Sequence, residues 1–178
     1  DLQAEYFTRH LDLAKRLGLI VTAHCENAEI VARLQQRLVA EGKTGPEWHE
    51  PSRPVTVEAE GVHHLATFAA LTGAHTYVVH TSCAEALAEA AAARERGLPM
   101  WVETVAPYLV LDRSYSELPN FEGAKYVMGP PLRELRHQEV IWDAIRSGLV
   151  STVATDHAPF DFAVQKEMGR GDFTKIPN

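Results

Sequence analysis

"AKRLGLIVTAH", residues 14–24, decides the fold: a helical pattern stops at a glycine, and an apolar run follows at once and ends on an ionisable side chain. Upstream of Gly18, Phe7, Leu11, Ala14 and Leu17 recur at spacings of three and four residues, which places them on one face of a helix. Downstream, "LIVTAH" has the composition of a buried strand. The same succession occurs three more times. A helical pattern over 57–72 stops at Gly73 before "AHTYVVH" (74–80), and the alanine-rich "AEALAEAAAARER" (84–96) stops at Gly97 before "LPMWVET" (98–104). A fourth helical pattern over 136–147 stops at Gly148 before "LVSTVATDH" (149–157). Glycine suits each stop, because the residue after a helix often takes a left-handed conformation that other residues adopt only at a cost. At the third helix, Ser82 and Glu85 have the spacing of a capping box, with Ser82 as the expected cap.

Strands that alternate with helices of ten or more residues run parallel, since a tight hairpin cannot join parallel neighbours. The fold class is therefore α/β. An additional helix is expected over 28–41, and two irregular stretches interrupt the units: "GPEWHEPSRP" (45–54) and "PYLVLDRSYSELPNFEGAKYVMGPPLR" (107–133). Periodicity alone does not choose between half of an eight-stranded barrel and an open, doubly wound sheet.

Composition bounds the rest. The chain has 178 residues, 46% hydrophobic and 23% charged, the length and balance of one soluble domain. A formal charge of -7 and the lack of a Lys/Arg cluster argue against nucleic-acid or anionic-membrane partners. No apolar run approaches the roughly 20 residues of a membrane span. With no leader pattern at its start, and with two cysteines, Cys25 and Cys83, that form no disulfide framework, the chain is expected in the cytoplasm.

The last polar residues of the four strands are His24, His80, Glu103 and Asp156, all at carboxyl ends. Parallel strands bring such ends to one face, where barrel enzymes keep their active sites. Two histidines and an aspartate there suit zinc or a similar divalent ion. A single strand-end histidine is more often a hydrogen-bonded, partly buried side chain; equivalent placement in successive units is what favours a site. Glu103 is a candidate to orient a histidine ligand through a carboxylate–imidazole hydrogen bond, and His157 a candidate neighbour of Asp156 or of a substrate. His10, His49, His63, His64, His75 and His137 read as solvated or packing residues. A serine-hydrolase elbow and a dinucleotide glycine motif are both missing. The turn Thr81, Ser82, Cys83 after His80 offers a nucleophile as a second hypothesis.

"VTAHCENAE", "EWHEPSRPVTVEAEG", "YVVHTSCAEAL", "GPPLRE", "TVATDHAPF" and "DFTKIPN" occur in an order that resembles the cyclic amidohydrolases, in particular the D-hydantoinase and dihydropyrimidinase family. The resemblance spans residues 1–178 and implies a partial TIM (β/α)8 barrel, about strands 5 to 8, as a single incomplete domain of a longer chain. It implies that His24 and His80 bind one ion of a two-metal centre, that Asp156 binds the other and shuttles a proton, and that backbone groups at Gly129 and Asn178 hold the substrate. Where the family has serine, this chain has Gly129. The implied reaction is metal-dependent hydrolysis of a cyclic amide, a hydantoin or dihydropyrimidine, to an N-carbamoyl amino acid. The implied cofactors are two divalent ions, zinc, and the implied assembly is a homotetramer or homodimer of the full-length protein.

The family's His-x-His and its bridging carboxylated lysine have no counterpart here, so the isolated chain is expected to be inactive, with exposed strand edges. Alternatives within the resemblance are dihydroorotase or allantoinase activity, and a non-catalytic dihydropyrimidinase-like scaffold.

Overall fold

The computed structural model describes residues 2–178, with side chains from residue 4 onward. Helix α1 (Leu2–Leu17) leads into strand β1 (Ile20–Ala23), and α2 (Ala28–Ala40) follows as the additional helix. Then come α3 (Val55–Thr72), β2 (His75–Val78), α4 (Ala84–Glu95), β3 (Met100–Val105), the short α5 (Ala106–Val110), α6 (Arg136–Arg146) and β4 (Thr152–Ala154). The glycines before the four strands, Gly18, Gly73, Gly97 and Gly148, have φ of 67°, 68°, 82° and 76°, the left-handed geometry the helix stops require.

All strand pairings are parallel, and the order across the sheet is β1-β2-β3-β4. A doubly wound sheet reverses its strand order at a switch point. Here the order rises without reversal, as it does around a barrel, so the structure settles what periodicity left open: this is a partial (β/α)8 barrel. The register sets Ile20 beside His75, Thr76 beside Met100 and Glu103 beside Thr152, which keeps the carboxyl ends together.

The main core lies between the sheet and its helices. Val78, Met100, Val102 and Val105 meet Val62 and Leu65 of α3, Ile141 of α6, and the alanine face of α4, Ala86, Ala90 and Ala93. Alanine on that face lets α4 lie close to the strands. A second cluster of Leu38, Phe121, Ala124, Val127, Phe173 and Ile176 gives the irregular stretches a core of their own. The outer strands are less covered: Ile20 on β1 is 50% exposed and Val153 on β4 is 48% exposed. Among the described residues, no helix is long and apolar enough to cross a membrane.

One local expectation is corrected. Ser82 does not cap α4; Cys83 occupies the N-cap position without a side-chain bond, and the Ala84 N–H donates instead to His137 Nδ1 at 3.1 Å. Ser82 is held elsewhere: its N–H donates to Glu58 Oε1 at 2.7 Å, its hydroxyl donates to Glu58 Oε2, and its oxygen accepts from the charged Arg133 guanidinium rather than from a helix N–H.

Candidate active site

β1 and β2 are paired neighbours, so the residues that leave their carboxyl ends face one another. His24 Nδ1 and His80 Nε2 lie 3.1 Å apart. That spacing is close to the separation of two ligand nitrogens each ~2.0–2.1 Å from a single ion. The other nitrogen of His24, Nε2, donates to Glu26 Oε2 at 2.7 Å. Glu26 has a side chain only 2% exposed and is paired in turn with Arg53. Burial acts to raise the Glu26 pKa, but the bond from His24 and the positive charge of Arg53 outweigh it, leaving the carboxyl below its usual range. A carboxylate fixed behind an imidazole leaves the opposite ring nitrogen as the lone-pair donor.

The turn carrying His24 and Glu26 is pressed against α3. Asn27 donates its N–H to Val57 O at 3.2 Å and its amide to Glu60 Oε2 at 2.8 Å, while its carbonyl oxygen caps α2. Gly61 faces this turn, and a Cβ there would sit 2.5 Å from the Cys25 carbonyl carbon and 2.7 Å from the Glu26 nitrogen. The close approach requires glycine.

His80 is buried, with φ of 41°, and Asp156 has φ of 46°. Left-handed backbone at non-glycine residues is uncommon, and it clusters where a fold orients functional side chains. Two of the strand-end residues singled out in the sequence therefore share this geometry. The turn after β2 is secured from β3: Glu103 Oε1 accepts the His80 N–H at 3.3 Å, Glu103 O accepts the Thr81 N–H at 2.7 Å, and Thr104 Oγ1 donates to Thr81 O at 2.8 Å. Burial lowers the His80 pKa, the neighbouring His24 lowers it further, and the carboxylate of Asp156 opposes both.

The expectation for Glu103 needs correction. It binds the backbone of His80 and accepts from Tyr77 Oη at 2.8 Å, and among the described residues no imidazole donates to it. The sequence offered the carboxylate at the strand end as a candidate; Glu26, two residues past His24, takes the imidazole, because a turn can fold back where a strand points its side chains away.

The nucleophile hypothesis also fails. Cys83 is fully buried and burial pushes its thiol well up, while Cys25 is pushed up to about 12 by burial and by the charges of Glu58 and Glu26. A thiol that stays protonated is a poor nucleophile. Ser82 is locked in a buried ion network: Arg133 Nε donates to Ser82 Oγ at 2.9 Å and Arg133 Nη2 to Glu58 Oε2 at 2.9 Å. This network ties the loop after β2 to α3 and to the "GPPLR" loop.

Asp156 and His157 are exposed at the end of β4. Among the described residues, no three His, Cys, Asp or Glu side chains are placed to hold one ion together: the two histidines form a pair and Asp156 stands apart. His49 and His137, read as solvated or packing, are both buried packing residues, with His49 Nε2 donating to Met128 O at 2.9 Å. Gly129 and Asn178 come together: a Cβ on Gly129 would lie 2.6 Å from Asn178 Oδ1, so glycine admits the asparagine where serine would press on it.

Sequential parallel strands with ionisable residues gathered at their carboxyl ends define a segment of a (β/α)8-type barrel. No family model matches the chain. It is 49% identical over 170 residues to the D-hydantoinase of Geobacillus stearothermophilus, covering 96% of this chain and 36% of that protein. Among solved structures, a D-hydantoinase (dihydropyrimidinase) from Thermus sp. superposes with a TM-score of 0.94 at 57% identity, covering 97% of this chain and 37% of the other. The dihydropyrimidinase of Brevibacillus agri gives 0.95 at 47% identity, with the same coverage. Over nearly all of its length the segment is similar to D-hydantoinases and dihydropyrimidinases. It spans little more than a third of the length of the relatives it matches.

Proposed function

We propose that this chain is the strand-5-to-8 segment of a longer, metal-dependent enzyme that opens the cyclic amide of hydantoins or dihydropyrimidines to N-carbamoyl amino acids. The observation that carries this reading is the convergence of His24 Nδ1 and His80 Nε2 at 3.1 Å, with Glu26 behind the first and Glu103 fixing the backbone of the second. Two imidazole nitrogens so placed fit a divalent ion such as zinc, with Asp156 as the ligand of a companion ion. Metal ions bound there would supply an activated water at neutral pH and polarise the ring carbonyl.

The chain's own residues account for the rest. Glu26 and Arg53 hold the His24 ring, and Glu103 and Thr104 hold the turn of His80. Asp156 accepts a proton from the attacking water as its oxygen bonds to the carbonyl carbon. It returns that proton to the ring nitrogen as the carbon–nitrogen bond breaks, so one carboxylate serves as base and then acid. The backbone at Gly129 and Asn178, brought side by side, holds the ring amide. In the family reading, the remaining ligands come from parts of the protein outside this segment, and the full-length protein is a cytoplasmic homotetramer or homodimer.

The test is turnover of hydantoin and dihydrouracil by the full-length protein, metal-free and reloaded with zinc, beside Asp156→Asn. Metal-dependent ring opening is expected, with kcat reduced at least ~10²–10⁴-fold in the variant and an unchanged circular-dichroism spectrum. Absence of ring opening in the zinc-loaded protein would overturn the reading, and full activity in the variant would remove Asp156 from proton transfer.

A further inference from the structure

The stretch 127–130, which leads into and opens the "GPPLR" loop, is held through its carbonyl oxygens by three buried side chains from other parts of the chain. Val127 O accepts from Lys166 Nζ at 2.8 Å, Met128 O from His49 Nε2 at 2.9 Å, and Pro130 O from Tyr108 Oη at 2.6 Å. Between them, Gly129 has no hydrogen bond to its N–H or its C=O among the described residues. Lys166 does more, since its Nζ also donates to Pro177 O at 2.7 Å, one residue before Asn178. One ammonium thus joins the two loops that meet at Gly129 and Asn178.

The cost of this arrangement argues that it is not incidental packing. Lys166 is buried, its salt-bridge partner is missing among the described residues, and burial pulls its pKa down to about 8. Burying a lysine without a counter-charge is unfavourable, and two carbonyl acceptors and the face of the Phe160 ring, 5.3 Å from Nζ, offset that only in part. His49 is likewise held neutral, its pKa lowered to about 3 by burial and by the charge of Arg53. A neutral imidazole has one N–H to give, and it goes to Met128 O.

We propose that Lys166, His49 and Tyr108 are positioning residues for substrate binding, clamping the backbone around Gly129 and Pro177 so that the unbonded Gly129 peptide, beside Asn178, is left facing the ring amide. This rests on the hydantoinase reading above. Fixed backbone groups of this kind bind substrate without being reorganised first, and their loss is felt mainly in binding.

The test uses the full-length protein with Lys166→Met, Tyr108→Phe, His49→Leu and His49→Gln, measured for kcat and KM on hydantoin and by hydrogen exchange. Lys166→Met and His49→Leu are expected to raise KM on the order of tenfold, with kcat within about twofold. Tyr108→Phe, which removes one hydroxyl, should raise KM about threefold, and His49→Gln, whose amide can replace Nε2–H, should stay near the wild type. Exchange over 127–133 should quicken in Lys166→Met and Tyr108→Phe while distant helices are unchanged. Unchanged KM in Tyr108→Phe and His49→Leu, or kcat falling as much as KM rises, would overturn the proposal. If the wild-type protein opens no ring, the hydantoinase reading fails; the exchange result then decides the clamp, and unaltered exchange over 127–133 would refute it.

Discussion

Val78 and Val102, on the middle strands β2 and β3, are 1% and 0% exposed, whereas Ile20 and Val153, on the outer strands, remain 50% and 48% exposed. Residue type does not explain the difference; neighbours do. A middle strand has a partner on each side and a helix over one face, while an outer strand lacks one partner. The site divides along the same line. His80, at the end of β2, is buried and gripped from β3, and Asp156, at the end of β4, is exposed. Inner positions are finished within this chain, and outer ones have a free side that a further strand would cover.

The largest effect should come from breaking the inner network. Arg133→Met leaves the Glu58 carboxylate buried without its partner, and urea unfolding should show a loss of about 3–5 kcal/mol. A loss under about 1 kcal/mol would mean that the loops around His80 do not depend on this pair. Next, Gly61→Ala forces a Cβ into the Cys25–Glu26 backbone, at an expected cost of about 1–3 kcal/mol. Zinc affinity, read by competition with a chromophoric chelator, should fall with it, since the displaced turn carries His24.

Acid should weaken the inner region first. The His49 pKa lies near 3 in the folded protein, against an ordinary value of 6.5, so the unfolded chain binds the extra proton across that interval. Its contribution to stability is complete above pH 6.5 and is lost as pH falls toward 3. His80 and His137 are lowered in the same direction by burial. Denaturation midpoints between pH 7 and pH 4 should decline, and less steeply in His49→Gln; a slope unaltered by that substitution would contradict the assignment.

The smallest effect sharpens the contrast itself. Val153→Thr should shift stability by no more than about 0.5 kcal/mol in this chain, while Val102→Thr should cost about 1–3 kcal/mol by burying a hydroxyl. In a longer protein whose barrel covers β4, the two costs should approach one another; persistence of the gap would show that β4 remains an open edge.

Much of this was legible from residue order. The four helix–glycine–strand units carry local signals, a 3.6-residue period and a left-handed stop, and those signals are set by the backbone. The strand order was not legible, because periodicity records which segments are strands and not which lie side by side. At the site, His24, His80 and Asp156 stood out because strands deliver them in register. Glu26, Arg53, Glu58, Arg133 and Lys166 did not, since their partners are 11 to 83 residues away or across a turn, and a buried charge has no sequence period. The Ser82 cap was misassigned for the same reason, and the role of Glu103 stayed open in the sequence: each side chain met a partner that only tertiary packing supplies.

The most direct measurement is anomalous diffraction at the zinc edge from crystals of the full-length protein grown with zinc. A peak within bonding distance of both His24 Nδ1 and His80 Nε2, with Asp156 on a neighbouring ion, is the predicted result. Zinc bound elsewhere, or His24 turned away from His80 in the zinc-grown crystals, would contradict the account.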